Sequence, residues 1–230
     1  MPDVNARRLL LEGLVIVASI LLAFGIDASW DSWQARAAEE RQLALLRAEM
    51  ESNRTALELA LSGVVTSRES LRHLVSLIAP EPALISADSL GVLIRTAITG
   101  RVEPLEVGTL NAVLNSGQFE ASSRPDLYQA LVRFRALKEN YAVRGGIFVE
   151  QRAVVLRYLG GITGAFVSET TGAHGPSGFP VPVEQLLRDS QLEALAGSMA
   201  VYGRNMQVSI EDLTVMADSV LLLLPDGGAS

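Results

Sequence analysis

Few side chains in this sequence have the types and spacing that catalysis or metal binding requires. The 230 residues include two histidines, His73 and His174, and no cysteine. The carboxylate of Glu69 lies four residues before His73, but no further histidine or acid completes a metal-ligand spacing. His174 lies among glycines and is interpreted as a solvated loop residue. Thiol catalysis and thiolate metal sites are excluded, and we predict no metal site.

Local signatures of enzymes are also missing. The chain has no Gly-x-Ser-x-Gly nucleophile elbow, no phosphate-binding glycine-rich motif with lysine, and no Cys-x-x-Cys-His haem attachment site. A Ser–His–Asp triad assembled by the fold would leave no local signature, so that alternative stays open. Acid pairs typical of solvated helix faces occur at Glu39-Glu40, Glu103/Glu106 and Glu211-Asp212. We therefore expect no enzymatic activity and no bound cofactor.

The charge of the chain argues against nucleic acid as a partner. The net charge is −7, and the 19 basic residues form no polybasic patch. Binding to phosphates needs clustered lysine and arginine. Only Lys138 is a lysine, a bias that is typical of GC-rich bacterial genomes. We therefore expect a bacterial protein that does not bind nucleic acid.

The stretch EGLVIVASILLAFGIDASWDSW, residues 12–33, is the most informative part of the sequence. From Leu9 to Ile26, Glu12 is the only residue that interrupts a run of apolar and small side chains. These 18 residues would form a helix about 27 Å long, near the hydrocarbon thickness of a bilayer. The run predicts a transmembrane anchor. A cleaved signal peptide, with Ala23-Phe24-Gly25 as its cleavage site, and a buried core helix are the alternatives.

Residues that flank this run fit a membrane interface. Arg8 lies four residues before Glu12, so the two can pair on one helix face. Trp30 and Trp33 follow the run, where amphipathic indoles favour the headgroup level.

The orientation follows from the same flanks. Arg7 and Arg8 precede the run, while Asp27 and Asp31 follow it before the first basic residue, Arg36. The positive-inside bias then predicts a cytoplasmic N-terminus. We expect a single-pass protein of the bacterial inner membrane whose main domain is periplasmic.

The sequence after the anchor predicts an all-α domain. We divide the chain into a tail at residues 1–8, an anchor at 9–33 and a helical-bundle domain at 34–230. The anchor is expected to continue into a long stalk helix over 34–78, since this stretch has no proline and one glycine. A 3-4 spacing predicts its packing seam: Leu43, Leu46, Met50, Leu57, Val64 and Leu71. Asn53 interrupts this seam, either to fix register or as a tolerated polar residue near solvent, and Ser67 is a second interruption.

Turn residues divide the remainder into further helices. A helix over about 87–99 follows the predicted cap Ser86 and ends at Gly100. Pro104 is expected to open a helix to Asn115, and Pro125 another to about Leu159, with a kink at Gly145-Gly146.

A glycine-rich stretch and a final helix complete the chain. Residues 160–182 are predicted to form a loop. The last helix should begin at Val183 or Ser190, end near Leu224, and pack through Leu192, Leu195, Met199, Met206 and Leu213. The predicted fold is an antiparallel bundle of about four helices, in which the first and last long helices pair.

Several motifs resemble an uncharacterised family of bacterial single-pass membrane proteins. They are Trp30-Asp-Ser-Trp33, the helix with Leu46–Met50 and Asn53, the turn Leu114-Asn-Ser-Gly117, and Arg124–Tyr128 with Tyr141. Family members have an N-terminal span, an aromatic residue after it, a long helix and a Leu-x-Ser-Gly turn. The resemblance covers roughly residues 8–141 and implies topology and a helical fold, with no established activity. Asn115 stands where the family often has serine. The turn is interpreted as a helix end, with an amide nest for a ligand as the alternative.

These features favour a structural over a chemical function. We expect a non-catalytic accessory subunit that is anchored in the lipid bilayer and stabilises a larger membrane protein complex, such as a respiratory or photosynthetic supercomplex. A ligand-binding sensor module and a self-associating stalk, whose seam pairs with copies of itself, are the alternatives.

Overall fold

The computed structural model describes residues 3–82, 84–116, 124–163 and 182–225. These residues form six α-helices and no strand, so the all-α prediction is confirmed. The helices are α1 (Asp3–Leu77), α2 (Ala87–Ala97), α3 (Gly108–Asn115), α4 (Pro125–Thr163), α5 (Val183–Leu186) and α6 (Ser190–Leu223).

The chain folds into two compact units. Among the described residues, one unit extends to Leu46 and the other begins at Arg47. The single helix α1 includes both the apolar segment and the predicted stalk, so the prediction that the two form one continuous helix is confirmed. The second unit contains the helical bundle.

The bundle is built on the C-terminal part of α1 and on α4 and α6. The Arg54 Nε lies 2.8 Å from the Asp218 Oδ1. Fourteen residues further along α1, the Arg68 Cβ lies 3.7 Å from the position of a β-carbon added at Gly203. Residue numbers in α6 therefore fall as those in α1 rise, and the predicted antiparallel pairing of the first and last long helices is confirmed.

The helices α4 and α6 are antiparallel as well. An Arg144 Nη1 donates to the Asn205 carbonyl at 3.0 Å, and the Tyr158 hydroxyl donates to the Asp189 carboxylate at 2.6 Å. Consequently α1 and α4 run in the same direction. The aromatic rings of Phe134 and Phe148, both on α4, are completely buried in the core.

The packing seam of α1 is buried at every predicted apolar position: Leu43, Leu46, Met50, Leu57, Val64 and Leu71. In α6 the core includes Leu192, Met199, Met206 and Leu213, whereas Leu195 is only partly buried. The core positions between these residues are Ala196, Gly203, Ile210 and Ala217, and not Leu195, which the spacing indicated. At one of these positions the Phe148 ring of α4 packs close to the helix, 3.6 Å from a β-carbon added at Gly203.

Several predicted helix ends differ from the structure. Helix α2 ends at Ala97 and α3 begins at Gly108, so Pro104 does not open a helix. The reason is that side chains of α1 and α4 bind the intervening backbone, as described below. Helix α4 continues through Gly160 to Thr163, because a glycine weakens a helix by about 1 kcal/mol without ending it. Most of the predicted loop at 160–182 lies outside the described residues.

Caps explain two helix starts that the sequence indicated. The Ser86 hydroxyl accepts from the Ser89 N–H at 3.1 Å, as predicted for the start of α2. Both alternatives for the last helix are realised: the four-residue α5 begins at Val183, and α6 begins separately at Ser190. The Asp189 carboxylate accepts from the Gln191 and Leu192 N–H groups and so caps α6.

Candidate functional site: the apolar segment and the anchored connection

The apolar segment of α1 is not covered by the rest of the described chain. From Ile16 to Trp33 every side chain is exposed, and Phe24 is 67% exposed. The prediction of a buried core helix is therefore wrong for the described structure. The helix is long and apolar enough to cross a membrane. A signal sequence can satisfy the same criteria of length and composition. The side chains of Arg7 and Arg8 lie outside the described residues, so the predicted orientation stays a prediction.

The two tryptophans lie beside a groove on this segment. Their ring centroids are 5.4 Å apart, with planes inclined by 35°. A β-carbon added at Gly25 would have no atom within 4 Å, so the helix surface is open at this point. The residues that line this shallow, open groove are Leu21, Leu22, Gly25, Ile26, Ser29, Trp30 and Trp33.

Hydroxyl groups in and after the apolar segment bond within the helix. The Ser29 hydroxyl donates to the Gly25 carbonyl at 2.7 Å, and the Ser32 hydroxyl donates to the Ser29 carbonyl at 2.9 Å. Such local bonds satisfy polar groups where water is absent. Both serines are therefore compatible with an apolar environment.

A second feature is the connection between α2 and α3, residues 98–107, which side chains of the bundle hold in place. Asn53 binds it with both ends of its amide. The Asn53 Nδ2 donates to the Glu106 carbonyl at 2.7 Å, and the Asn53 Oδ1 accepts from the Glu106 N–H at 2.8 Å. Asn53 is only 1% exposed, so the prediction of a tolerated residue near solvent is wrong. Its partner is the backbone of the connection and not a polar residue of a facing helix.

Glu49, one turn earlier in α1, caps the helix that follows the connection. Its carboxylate accepts from the Thr109 N–H at 2.7 Å and from the Leu110 N–H at 2.9 Å. The N-cap residue of α3, Val107, supplies no side-chain bond of its own. A carboxylate at this end satisfies free N–H groups and interacts favourably with the helix dipole. The start of α3 is therefore set by a residue about sixty positions away in the sequence.

The other interruption of the α1 seam acts at the opposite end of the connection. The Ser67 side chain is completely buried, and its hydroxyl donates to the carbonyl of Ala97, the last residue of α2. Asn53 and Ser67, which break the apolar seam, thus hold the two ends of residues 98–107 against α1.

Helix α4 binds the same connection from its own side. The Tyr141 hydroxyl donates to the Glu103 carbonyl and an Arg152 Nη1 donates to the Gly100 carbonyl, both at 2.9 Å. Burial raises the pKa of Tyr141 to about 12, and the nearby Glu103 charge acts in the same direction.

Glycines allow the connection to approach α4 closely. A β-carbon at Gly100 would lie 2.8 Å from the Phe148 ring. One at Gly145 would lie 2.7 Å from a Val102 methyl group. Both distances are shorter than carbon atoms tolerate, so the backbone can lie here only in the absence of side chains at these two positions.

The pairing of Tyr158 with Asp189 joins the C-terminal part of α4 to the start of α6. Desolvation, followed by the hydrogen bond to Asp189 and its charge, raises the pKa of Tyr158 to about 12. Desolvation would raise the pKa of Asp189, but bonds from Tyr158 and from two backbone N–H groups outweigh it and lower that pKa.

None of these groups forms a recognisable reaction centre. His73 is exposed on α1, and His174 lies outside the described residues. Within residues 3–82, 84–116, 124–163 and 182–225, no three metal-ligating side chains lie close enough to hold an ion. The expectation of no enzymatic activity and no cofactor stays a prediction.

Sequence reasoning missed Glu49, Tyr141 and Arg152 as parts of one arrangement. The available signal was that Asn53 and Ser67 break an otherwise apolar seam, which indicates polar partners. Nothing in the sequence identified those partners, because they are backbone groups of a segment without regular structure.

The turn that contributed to the family resemblance is partly described. Helix α3 ends at Asn115 as predicted, and the Ser116 hydroxyl donates to the Val113 carbonyl at 2.8 Å. Gly117 lies outside the described residues. No family model, no curated protein and no solved structure matches this chain, so the resemblance depends on its short motifs alone.

Proposed function

We propose that this protein is a non-catalytic, membrane-anchored subunit that binds a larger membrane protein assembly. The observation that carries the proposal is the apolar segment of α1, whose side chains from Ile16 to Trp33 are all exposed. Such a surface must be covered by lipid or by other apolar helices. The bundle, by contrast, buries an apolar core of its own, so we place it outside the lipid.

The open surface at Gly25 supports contact with another transmembrane helix. Association of helices in lipid depends on close packing, which small residues permit. Gly25 and Ser29 lie one turn apart, and bulky side chains surround them in the groove. A helix of the host assembly could therefore approach the α1 backbone at this point.

The alternatives receive less support from the bundle. A sensor requires a polar pocket between helices, whereas the buried polar groups Asn53 and Ser67 are bonded to backbone atoms. A stalk that pairs through its seam requires that seam to be accessible, but its residues are buried within one chain. We retain the cytoplasmic N-terminus and periplasmic bundle as part of the proposal, on the basis of Arg7 and Arg8.

Extraction from native membranes tests the proposal. Wild-type protein and the variants G25L and A23L would be extracted in mild detergent, separated on native gels, and analysed by mass spectrometry. Residues 23 and 25 lie on opposite sides of the helix, so A23L adds similar bulk away from the groove. We expect wild type and A23L to migrate in one large complex of fixed stoichiometry, and G25L to migrate alone while remaining in the membrane fraction.

Two results would contradict the proposal. Wild-type protein that migrates alone under these conditions would exclude a stable host assembly. Loss of the complex in A23L as well as G25L would show that the groove at Gly25 is not the contact surface.

A further inference from the structure

The outward surface of α6 carries an apolar stripe that is separate from the buried seam. Val201, Val208, Val215 and Leu222 recur every seven residues, and we name these four residues the outer stripe. They are 60%, 42%, 64% and 86% exposed, respectively. At about 100° per residue, all four lie within about 60° of the helix circumference. A heptad spacing of this kind is typical of a helix that packs against another helix.

Charged and polar residues line the two edges of the outer stripe. Arg204 and Glu211 lie on one edge, and Asn205 and Asp212 lie on the other. In the part of the chain that the structure describes, neither Arg204 nor Asp212 forms an ion pair, and the Glu211 carboxylate accepts only from the Gln207 amide. These charges are therefore available to a partner.

We propose that two copies of this chain pair through the outer stripe, with their α6 helices antiparallel and a two-fold axis at Val208. In this arrangement Val208 faces Val208 of the second copy, and Val201 faces Val215. Leu222 then lies opposite Ala194, so a large side chain meets a small one. The four apolar residues of each copy are covered by residues of the other.

The edge charges favour this direction. In an antiparallel pair, each edge of one helix faces the same edge of the other helix. Arg204 then lies within one residue, about 1.5 Å, of the level of Glu211 of the second copy, and Asn205 lies equally close to the level of Asp212. In a parallel pair, Glu211 would lie beside Asp212 of the second copy, and like charges repel. Complementary charge therefore selects a second copy in the antiparallel direction.

Single cysteines provide a direct test, because the chain has no cysteine of its own. Full-length V208C, V201C and V215C would be oxidised in mild detergent with micelles in excess over protein. Disulfides require α-carbons within about 7 Å. In the proposed pair only residue 208 meets itself, whereas the two copies of residue 201 are about 21 Å apart along the helix. V92C, an exposed valine on α2, controls for random collision.

The expected pattern is specific to the antiparallel pair. V208C should form a disulfide dimer alone, and V201C should do so only when mixed with V215C. Efficient dimers from all three variants separately would indicate parallel pairing and overturn the proposal. Yields no higher than that of V92C would also overturn it, because no pairing through the outer stripe would then exist.

Charge reversal gives an independent measurement in the cysteine-free chain. R204E and E211R each place like charges side by side at two symmetric positions, so each should weaken dimerisation by about tenfold in sedimentation equilibrium. The double variant R204E/E211R restores opposite charges and should recover most of the wild-type affinity. Equal affinities for wild type and both single variants would contradict the proposed register. Neither experiment involves the groove at Gly25, so their outcomes are independent of the proposed host assembly.

Discussion

At the scale of single residues, polar side chains on α1 determine where the connection between α2 and α3 lies. Asn53 is buried in the seam, and its amide matches both backbone groups of Glu106. Glu49 caps α3 from one turn away. Because the Asn53 amide and the Glu49 carboxylate both have partners, neither carries the full cost of desolvation. The interruptions of the seam thus position a segment that has no regular structure of its own.

The contribution of Asn53 can be measured by replacing it with leucine. N53L fills a similar volume but leaves the Glu106 N–H and carbonyl without their partner, so we expect the free energy of unfolding to fall by about 1–3 kcal/mol. Urea denaturation of the full chain in mild detergent, followed by circular dichroism at 222 nm, gives this value. T55A is the matched control, since the Thr55 hydroxyl is exposed and bonds only within α1. Equal stability of N53L and T55A would contradict the role of the Asn53 bonds.

The tyrosines predict how stability changes at alkaline pH. Tyr141 and Tyr158 each have a pKa raised from 10.0 to about 12 in the folded protein. Their neutral forms are favoured by folding, so their contribution to stability is complete below pH 10 and is lost as the pH rises through 12. In the folded chain, absorbance at 295 nm should show two of the four tyrosines ionising well above pH 10. One of these two transitions should be missing in Y141F and the other in Y158F. Ionisation of all four near pH 10 would contradict the environments described.

At the scale of elements, close packing depends on where side chains are missing. Gly203 of α6 lies against Phe148, and Gly100 and Gly145 admit the connection between α2 and α3. Two adjacent glycines of α4 differ in this respect: Gly145 is buried against Val102, and Gly146 faces solvent with no atom near an added β-carbon. The same substitution at these positions should therefore have opposite effects.

Alanine at each of these positions tests the close approach. G145A places a methyl group against Val102 and should lower the free energy of unfolding by about 1–3 kcal/mol. G146A removes a flexible residue from an exposed helix position and should raise it by about 0.5–1 kcal/mol. Both variants would be compared with wild type by urea denaturation. Similar changes of the same sign at both positions would show that helix propensity, and not the contact with Val102, governs this part of α4.

At the scale of the whole molecule, apolar residues are distributed between two different environments. The bundle buries its apolar seam, including Met50, Leu57 and Met206, within one chain. The segment from Ile16 to Trp33 buries none of its side chains in the described structure. Helix α1 is long and apolar enough to cross a membrane, which is the environment that we propose for this segment.

The two tryptophans allow this environment to be measured. Trp30 and Trp33 are the only tryptophans in the chain, so intrinsic fluorescence reports on them alone. In reconstituted vesicles we expect a blue-shifted emission that lipids brominated near the headgroup quench more strongly than lipids brominated near the bilayer centre, because indoles favour the interface. F24W is the control. Phe24 lies about 9 Å before Trp30 on the helix, within the apolar run, so a tryptophan there should increase quenching by the bromines near the bilayer centre. Emission typical of water, with no quenching, would exclude an interfacial position.

The sequence by itself determined the features that depend on neighbouring residues. Periodicity identified the long helices and the α1 seam, Ser86 identified the start of α2, and the apolar run identified a segment that can cross a membrane. Helix periodicity, capping and membrane length are properties of short stretches of chain, so they can be recognised locally.

Only the tertiary structure decided the features that depend on distant partners. The partners of Asn53 and Glu49 are backbone groups more than fifty residues away, and the late start of α3 follows from them. The packing of Gly203 against Phe148 was missed because the two residues lie on different helices. The outer stripe of α6 was likewise hidden, because spacing alone cannot show which of two apolar faces the bundle buries. In each case the deciding interaction joins segments that the chain brings together only on folding.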